Sequence, residues 1–159
     1  MTLTVFRLGK LACRAQLFSG QGGLYASGRW TPRGLPVVYT SASISLAVLE
    51  YTVSYRRRGW VPATVVGSAT IPASVSVAIV SPASLPANWF AADPPPQLQK
   101  IGGGWLERGD SAVLKVPSAI VNEEWNYLLN PLHADFRKLR FGAPQVFSFD
   151  RRVARSKKK

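Results

Sequence analysis

The chain has very little of two residue types that often carry chemistry in small proteins. Among its 159 residues are one cysteine, Cys13, and one histidine, His133. A single cysteine excludes an internal disulfide, a CxxC redox pair and a cysteine-rich zinc site, and a single histidine excludes a paired-histidine metal site. A solitary histidine is more often a structural hydrogen-bonding residue than a base. We therefore expect no metal site, and the low cysteine content suits a reducing cytoplasm.

Long apolar runs are also missing. Arg7, Lys10 and Arg14 interrupt the N-terminal segment before it reaches the length of a signal-peptide core. No stretch approaches the roughly 20 apolar residues that span a bilayer. The 47% of hydrophobic residues are nevertheless enough for a packed interior in a chain of this length. We expect one ordered, soluble, cytoplasmic domain with no membrane partner.

Acidic residues are scarce, with eight Asp and Glu against twenty Lys and Arg, which gives a formal net charge of +12. Half of that net charge lies in the last nine residues, so we divide the chain into a domain over 1–150 and a basic tail over 151–159. A basic tail is usually a solvated, mobile end, although it also suits contact with an acidic partner or with nucleic acid. The charge alone therefore does not assign a function.

Hydrophobic patterning predicts few helices and many short strands. Apolar residues recur with helical spacing from Ile44 to Tyr51, which predicts a helix to about Arg56 with Ser41 or Ser43 as its N-cap. Shorter helical pieces are predicted at 97–107 and 123–129. The predicted strands are 4–8, 35–41, two within 61–80, 111–116 and 146–149. Because these elements do not alternate strictly, we predict a single α+β domain.

The three consecutive glycines at 102–104 are not a phosphate-binding loop of a known kind. No Gly-Lys-Ser/Thr follows them, and their spacing does not match the dinucleotide fingerprint. They indicate a turn and weaken the prediction of a helix over 97–107. The proline-rich piece 93–96 is predicted to be an extended surface loop, because proline supplies no backbone donor.

Two charged residues stand out as candidates for chemistry. Glu50 is one of only four glutamates and lies in an apolar helical segment, where it is either an exposed helix position or a site residue. Arg29 follows the flexible Gly28 and precedes Trp30, a setting that lets a guanidinium reach a phosphate with two hydrogen bonds. Spacing alone leaves both interpretations of each residue open.

Taken in order, short segments along most of the chain resemble the RES domain family, which is named for an Arg, a Glu and a Ser. The segments that carry this resemblance are 5–8 (VFRL), 28–34 (GRWTPRG), 37–40 (VVYT), 46–50 (LAVLE), 101–106 (IGGGWL), 112–118 (AVLKVPS), 126–133 (NYLLNPLH) and 147–152 (FSFDRR). The chain departs from the family pattern at Thr31, where Asn is common, at Asn122 and Ala134, where Pro is common, and at Gly103, where an acid is common.

The resemblance implies a fold related to ADP-ribosyltransferases of the diphtheria-toxin kind, with small mixed or antiparallel sheets around an NAD cleft. It implies a toxin that cleaves the bond between nicotinamide and ribose, by hydrolysis or phosphorolysis, with NAD as substrate and no other cofactor. It also implies a cognate Xre-family helix-turn-helix antitoxin, a homodimer within the toxin-antitoxin complex, and contact with DNA only through the antitoxin.

The resemblance also points to five site residues. Glu50 is expected to stabilise the positive charge that develops on the ribose, and Arg29, with Arg7 as a second contact, to bind the pyrophosphate. Tyr39 is expected to stack on nicotinamide or bind its ribose, although it also suits a strand core. Ser118 is expected to hydrogen-bond the ribose or the carboxamide, although it also suits a turn cap. We do not expect Ser118 to be a nucleophile, since nothing places His133 beside it.

Two other functions remain open from the sequence. A protein ADP-ribosyltransferase would use the same cleft with a protein as the acceptor. A non-enzymatic module for nucleic acid would account for the sequence pI near 10.6 and for five tryptophans able to stack on bases. Against the second, the tryptophans are scattered among apolar segments and no helix-turn-helix or RNP-like signature is present.

Overall fold

The computed structural model describes residues 1–155, and within them eight strands form one mixed sheet. Its order is β4-β5-β6-β2-β1-β3-β7, with β8 also paired to β3. The strands are β1 Leu3–Lys10, β2 Val38–Ser41, β3 Thr64–Ile71, β4 Val77–Ile79, β5 Val113–Pro117, β6 Trp125–Leu129, β7 Arg140–Phe141 and β8 Gln145–Phe147. Every pairing is antiparallel except β4 with β5. The prediction of a single α+β domain is confirmed, with one continuous sheet where several small ones were expected.

The helices lie in the connections between strands. In the described residues the α-helices are α1 Gly22–Tyr25, α2 Ile44–Ser54 and α3 Pro96–Arg108. Short 3-10 turns occupy Leu11–Gln16, Arg56–Arg58, Pro82–Ser84 and Ala134–Lys138. No helix within residues 1–155 combines the length and the apolar character needed to cross a membrane.

The middle of the sheet is covered on both faces, as the two-residue period of a strand requires. On β5, Val113 belongs to one buried cluster, while Leu114 and Val116 belong to the other. On β6, Leu129 and Leu128 divide in the same way. The second cluster also contains three of the five tryptophans, which therefore serve as core: Trp30, Trp89 and Trp105.

Helix α2 begins as the sequence predicts. The Ser43 side chain accepts a hydrogen bond from the Leu46 backbone N–H, which makes Ser43 the N-cap. The buried face consists of Leu46 and Ala47 and packs against β1 and β2, whereas Ile44 is exposed. The helix ends at Ser54, and the arginines of the following turn Arg56–Arg58 are exposed, as expected for a solvated helix end.

Helix α3 contains the three glycines, so the prediction of a turn at 102–104 is wrong and the prediction of a helix is confirmed. A Cβ at Gly102 would collide with the Trp30 carbonyl, and one at Gly103 would come within 3.0 Å of Pro32. The glycines therefore allow the helix to pack closely against the segment around Trp30. The proline-rich loop is shorter than predicted, because Pro95 is the N-cap of α3 and Pro96 its first residue.

The segment 123–129 is not the helical turn that the sequence predicts, because Trp125–Leu129 is strand β6. It pairs with β2 on one side and β5 on the other. Pairing on both sides satisfies its backbone groups, and its alternate residues pack into the two buried clusters. These tertiary interactions outweigh the local helical preference of the segment.

The described start of the basic tail contacts the domain. The Arg155 carbonyl accepts a hydrogen bond of 2.8 Å from the Val61 N–H, and Arg152 forms a 3.0 Å ion pair with Asp150. The rest of the predicted tail, 156–159, lies outside the described residues.

Candidate active site

A cleft of about 700 Å³ opens beside β1, β2 and α2, and Gly28 and Arg29 also line it. Four of the five residues singled out in the sequence line it: Arg7, Arg29, Tyr39 and Glu50. The volume lies within the range of roughly 300 to 1,000 Å³ that is typical of small-molecule sites. The fold thus gathers residues from two strands, a loop and a helix around one cavity.

Glu50 enters the cleft from α2. It follows the buried Leu46 and Ala47 by four and three residues, so it lies on the helix face that packs toward the sheet. It is half-buried rather than an exposed helix position. Its Oε1 accepts a hydrogen bond of 2.9 Å from the Ser118 Oγ and one of 2.6 Å from the Asn126 Nδ2. These two bonds hold one oxygen of the carboxylate in place.

Ser118 lies behind Glu50, not on the cleft wall, which differs from the expected contact with ribose or carboxamide. The residue is fully buried, and its Oγ accepts hydrogen bonds from the N–H groups of Ile120 and Val121, both at 3.1 Å. A hydroxyl has one proton and two lone pairs, so the proton is left for Glu50. The turn-cap interpretation is therefore correct, and the same hydroxyl also orients the glutamate.

Arg29 is held in place by a hydrogen bond from its guanidinium and by the contacts of the loop that carries it. Its Nη1 donates a 3.0 Å hydrogen bond to the Trp89 carbonyl, and the residue is half-buried. Burial lowers the pKa of Arg29, while the charges of Glu50 and Tyr39 act in the opposite direction. A guanidinium has five N–H donors, so a single bond to a carbonyl leaves most of them for a ligand.

Tyr39 joins β2 to the arginine loop. Its hydroxyl lies 2.8 Å from the Thr31 Oγ1 and accepts a 3.3 Å hydrogen bond from the Trp30 N–H. Gly28 lies against the Tyr39 ring so closely that a Cβ there would collide with the hydroxyl. Burial raises the pKa of Tyr39, so the phenol stays protonated at neutral pH. Thr31, the departure from the family's common Asn, thus takes part in holding the loop.

Helix α3 holds the same loop from the other side. The Gln99 Nε2 donates a 2.9 Å hydrogen bond to the Gly28 carbonyl. Within the loop, the Gly28 N–H donates to the Thr31 carbonyl at 2.9 Å. The position of Arg29 therefore depends on a strand, a helix and a tight turn, which together pre-organise it for a ligand.

Arg7 lies on β1 and its Nη1 donates a 2.9 Å hydrogen bond to the Tyr39 carbonyl. Burial lowers the pKa of Arg7, and the nearby Tyr51 acts in the opposite direction. Tyr51 also lines the cleft, and burial raises its pKa to about 12. Within residues 1–155, the Arg7 Nε and the Tyr51 hydroxyl are buried without a hydrogen-bond partner.

The charged residues that line the cleft are Arg7, Lys10, Arg29 and Glu50, which leaves a net charge of about +2. Positive charge between low-dielectric walls attracts an anion and raises its local concentration. The arrangement is therefore an anion-attracting pocket with one carboxylate available for chemistry.

Asn126 and Ser41 also line the cleft, and sequence reasoning did not single them out. Asn126 donates to Glu50, and Ser41 donates from its Oγ to the Asn126 Oδ1 at 2.7 Å. The two residues are register partners on β2 and β6. The only sequence signal for Asn126 was its place at the start of the segment 126–133, which resembles the family. The prediction of a helical piece at 123–129 hid its position on a strand.

Comparisons with known proteins agree with these observations. The RES domain family matches residues 4–150. Among curated proteins, "Toxin Res" of Photorhabdus laumondii is 34% identical over 157 residues, which cover 98% of this chain and 100% of that protein. The "Prs ADP-ribosylating toxin" of Sphingobium sp. is 32% identical over 160 residues, covering 98% of this chain and 99% of that protein.

Among solved structures, a chain of the M. tuberculosis MbcT-MbcA toxin-antitoxin complex superposes with a TM-score of 0.78. The match covers 93% of this chain and 85% of that chain at 16% sequence identity, so it shows the fold alone.

The fold and the cleft define a small α+β domain built around an anion-attracting pocket that presents one acid. Since the family matches nearly the whole chain, and relatives above 30% identity match along their full length, the chain belongs to the RES domain family. The resemblance to RES toxins that the sequence indicated is thereby confirmed.

Proposed function

We propose that the chain is the toxin of a toxin-antitoxin pair and that it cleaves the nicotinamide-ribose bond of NAD. The observation that carries this proposal is that Glu50 and Arg29 line the same cleft. Two hydrogen bonds hold the Glu50 carboxylate, and one bond to a carbonyl leaves most donors of the Arg29 guanidinium for a ligand. An anion-binding group and a separate carboxylate are what a substrate with a pyrophosphate and a reacting ribose requires.

The chemistry of the bond explains why one carboxylate suffices. Nicotinamide is a cation within NAD and leaves as a neutral molecule, so no general acid has to protonate it. The ribose becomes positively charged as the bond breaks, and a carboxylate nearby stabilises that transition state more than the ground state. Glu50 supplies the carboxylate, and it also orients the water or phosphate that attacks the ribose.

The positively charged side chains of the cleft account for binding of the pyrophosphate. The pyrophosphate of NAD carries two negative charges, which a planar guanidinium binds with paired hydrogen bonds. Arg29 takes this role, and Arg7 and Lys10 add positive charge along the same cavity. Tyr39 lines the cleft while its hydroxyl is bound to the arginine loop, so we assign it stacking against the substrate.

The experiment is to incubate the purified, antitoxin-free protein with NAD, with and without phosphate, and to follow nicotinamide by proton NMR. We expect release by the wild type and a fall of about 100-fold or more with Glu50→Gln. Glu123→Gln is the matched control, because Glu123 is an exposed glutamate outside the cleft. The sugar product identifies the acceptor as water or phosphate. Intact NAD with folded wild-type protein in both buffers would exclude the proposal.

A protein acceptor is the second candidate, because the Sphingobium relative carries the name "Prs ADP-ribosylating toxin". The same bond breaks, and a nucleophile on a protein replaces water or phosphate at the ribose. NAD labelled in its adenylate half distinguishes the two: label that becomes covalently attached to a protein in a cell extract supports transfer, and label that stays in small molecules supports NAD degradation.

We further propose an antitoxin of the Xre helix-turn-helix family as partner, in a complex that contains a toxin homodimer and reaches DNA only through the antitoxin. The support is the fold shared with a chain of a solved toxin-antitoxin complex and the relatives named as toxins. We assign its action to the cytoplasm, where NAD is held. Co-expression with the neighbouring gene product, followed by measurement of the complex mass, tests the partner and the copy number.

A further inference from the structure

Glu50 receives both of its hydrogen bonds at the same oxygen. Ser118 and Asn126 donate to Oε1, and within residues 1–155 neither of these bonds, nor any other, reaches Oε2. Oε2 is also not among the buried polar atoms of that region that lack a partner, so it is accessible to solvent, and Glu50 lines the cleft. The carboxylate therefore has one oxygen fixed to the protein and one oxygen open to a ligand.

The amide of Asn126 has only one orientation that satisfies its neighbours. A carboxylate only accepts hydrogen bonds, so the Asn126 Nδ2 must face Glu50. The Oδ1 then faces Ser41, whose hydroxyl donates to it at 2.7 Å. Ser41 and Asn126 are opposite each other on β2 and β6, so the sheet register brings the Ser41 hydroxyl next to the amide.

We infer that Asn126 is a positioning residue that, through its hydrogen bond to Oε1, holds the Glu50 carboxylate with Oε2 directed at the substrate. This inference rests on the proposed NAD-cleaving function. With Ser118 as the only donor, the carboxylate can swing about that one bond. A second donor from a different element, at 2.6 Å, fixes the plane of the carboxylate.

The kinetic test uses Asn126→Ala and the isosteric Asn126→Asp, with Asn122→Asp as the matched control. Asn122 is exposed in the loop before β6 and does not line the cleft. Since a misplacement of about 1 Å costs about 100-fold in rate, we expect kcat to fall by that order in both Asn126 variants, with KM changed less than about threefold. A rise of KM at unchanged kcat would assign Asn126 to substrate binding and overturn the inference.

A pH profile separates positioning from a general loss of structure. In Asn126→Asp two carboxyl groups face each other, and they repel when both are ionised. On acidification the pair takes up one proton, and with that proton on the introduced carboxyl group a donor to Oε1 is restored. We therefore expect the activity of Asn126→Asp relative to wild type to recover on acidification, while Asn126→Ala does not recover. The other titratable groups that line the cleft are unchanged in all variants: Arg7, Lys10, Cys13, Tyr25, Arg29, Tyr39, Tyr51 and Tyr55.

A structural measurement tests the inference without reference to NAD. In crystal structures of the wild type and Asn126→Ala, we expect the Glu50 carboxylate of the variant to leave its single orientation for another rotamer. An unchanged carboxylate that still directs Oε2 into the cleft would overturn the inference. Absence of NAD cleavage by the wild type, together with a displaced carboxylate in the variant, would reject the proposed function and retain the role of Asn126.

Discussion

Tyr39 connects the sheet to the loop that carries Arg29, so a single oxygen atom affects both stability and binding. In Tyr39→Phe the ring remains, but the Thr31 hydroxyl and the Trp30 N–H lose their buried partner. Leaving such groups unsatisfied costs about 1–3 kcal/mol, so we expect the free energy of unfolding to fall by that amount. We also expect a higher KM for NAD, because the arginine loop is no longer held.

Chemical denaturation and NAD kinetics measure the two effects of Tyr39→Phe. The stability control is Tyr25→Phe, since Tyr25 is 75% exposed and the loss of its hydroxyl leaves no buried group unsatisfied. Equal stability of Tyr39→Phe and wild type would show that the loop has other sufficient support, from Gln99 or from its own turn.

Tyr51 makes the stability of the protein depend on pH in the alkaline range. Its pKa is about 12 in the folded protein and about 10 in an unfolded chain. A group whose pKa is raised by folding contributes stability below the unfolded pKa and loses it as the pH rises through the folded pKa. The free energy of unfolding should therefore decrease between about pH 10 and 12, and Tyr51→Phe should make that decrease smaller. Urea denaturation across this range measures it, and a slope unchanged by Tyr51→Phe would contradict the assignment.

Within helix α3, two glycines two positions apart should respond to alanine in opposite directions. A helical Gly→Ala change alone stabilises by about 0.5–1 kcal/mol. At Gly102 the added Cβ collides with the Trp30 carbonyl, which is backbone, so we expect destabilisation and displacement of the segment next to Arg29. At Gly104 the nearest atom is the end of the flexible Arg108 side chain at 3.0 Å, so the helical gain should remain.

Thermal denaturation of the two alanine variants, measured side by side, tests this comparison. Each variant is the control for the other, because the residue change and the helix are the same. Stabilisation by Gly102→Ala would mean that α3 can move away from Trp30 at little cost, and that the close approach is not required.

How well each element follows from the sequence depends on whether its determinants are local. Helix α2 was predictable, because the Ser43 cap and the apolar spacing lie within a few residues of each other. Strand β6 was not, because its conformation depends on two partner strands that are distant in sequence. The prediction of a turn at 102–104 failed for the same reason. Glycine is required at 102 by the close contact of α3 with the segment around Trp30, which is distant in sequence.

At the scale of the whole molecule, the sequence identified the cleft residues through family resemblance and missed the network behind them. Arg29 and Glu50 lie in two of the short segments that carry the resemblance, 28–34 and 46–50. The bond between Ser41 and Asn126 joins residues 85 positions apart, and no local pattern encodes that register. Ser118 was identified as a residue, but its role as a buried donor to Glu50 required the fold.

The positive charge of the molecule should appear in the salt dependence of substrate binding. Screening shortens the reach of charge from roughly 30 Å at 0.01 M salt to 3 Å at 1 M. Since the cleft is positively charged and the proposed substrate carries a pyrophosphate, we expect KM for NAD to rise with salt over this range, while kcat changes little. Replacing Lys10 with Met should flatten this dependence. A KM independent of salt would show that NAD is held by contacts other than charge.

Strand β6 lies between β5 and β2 and is among the later parts of the sheet to be synthesised. A ribosome that has made Arg29, Tyr39 and Glu50 has therefore not yet made the donor that directs the carboxylate or the strand that joins the two halves of the sheet. We expect the nascent chain to be harmless until residues 125–129 leave the exit tunnel. In the proposed toxin, activity therefore arises only after β6 has been made, which shortens the interval that the proposed antitoxin has to cover.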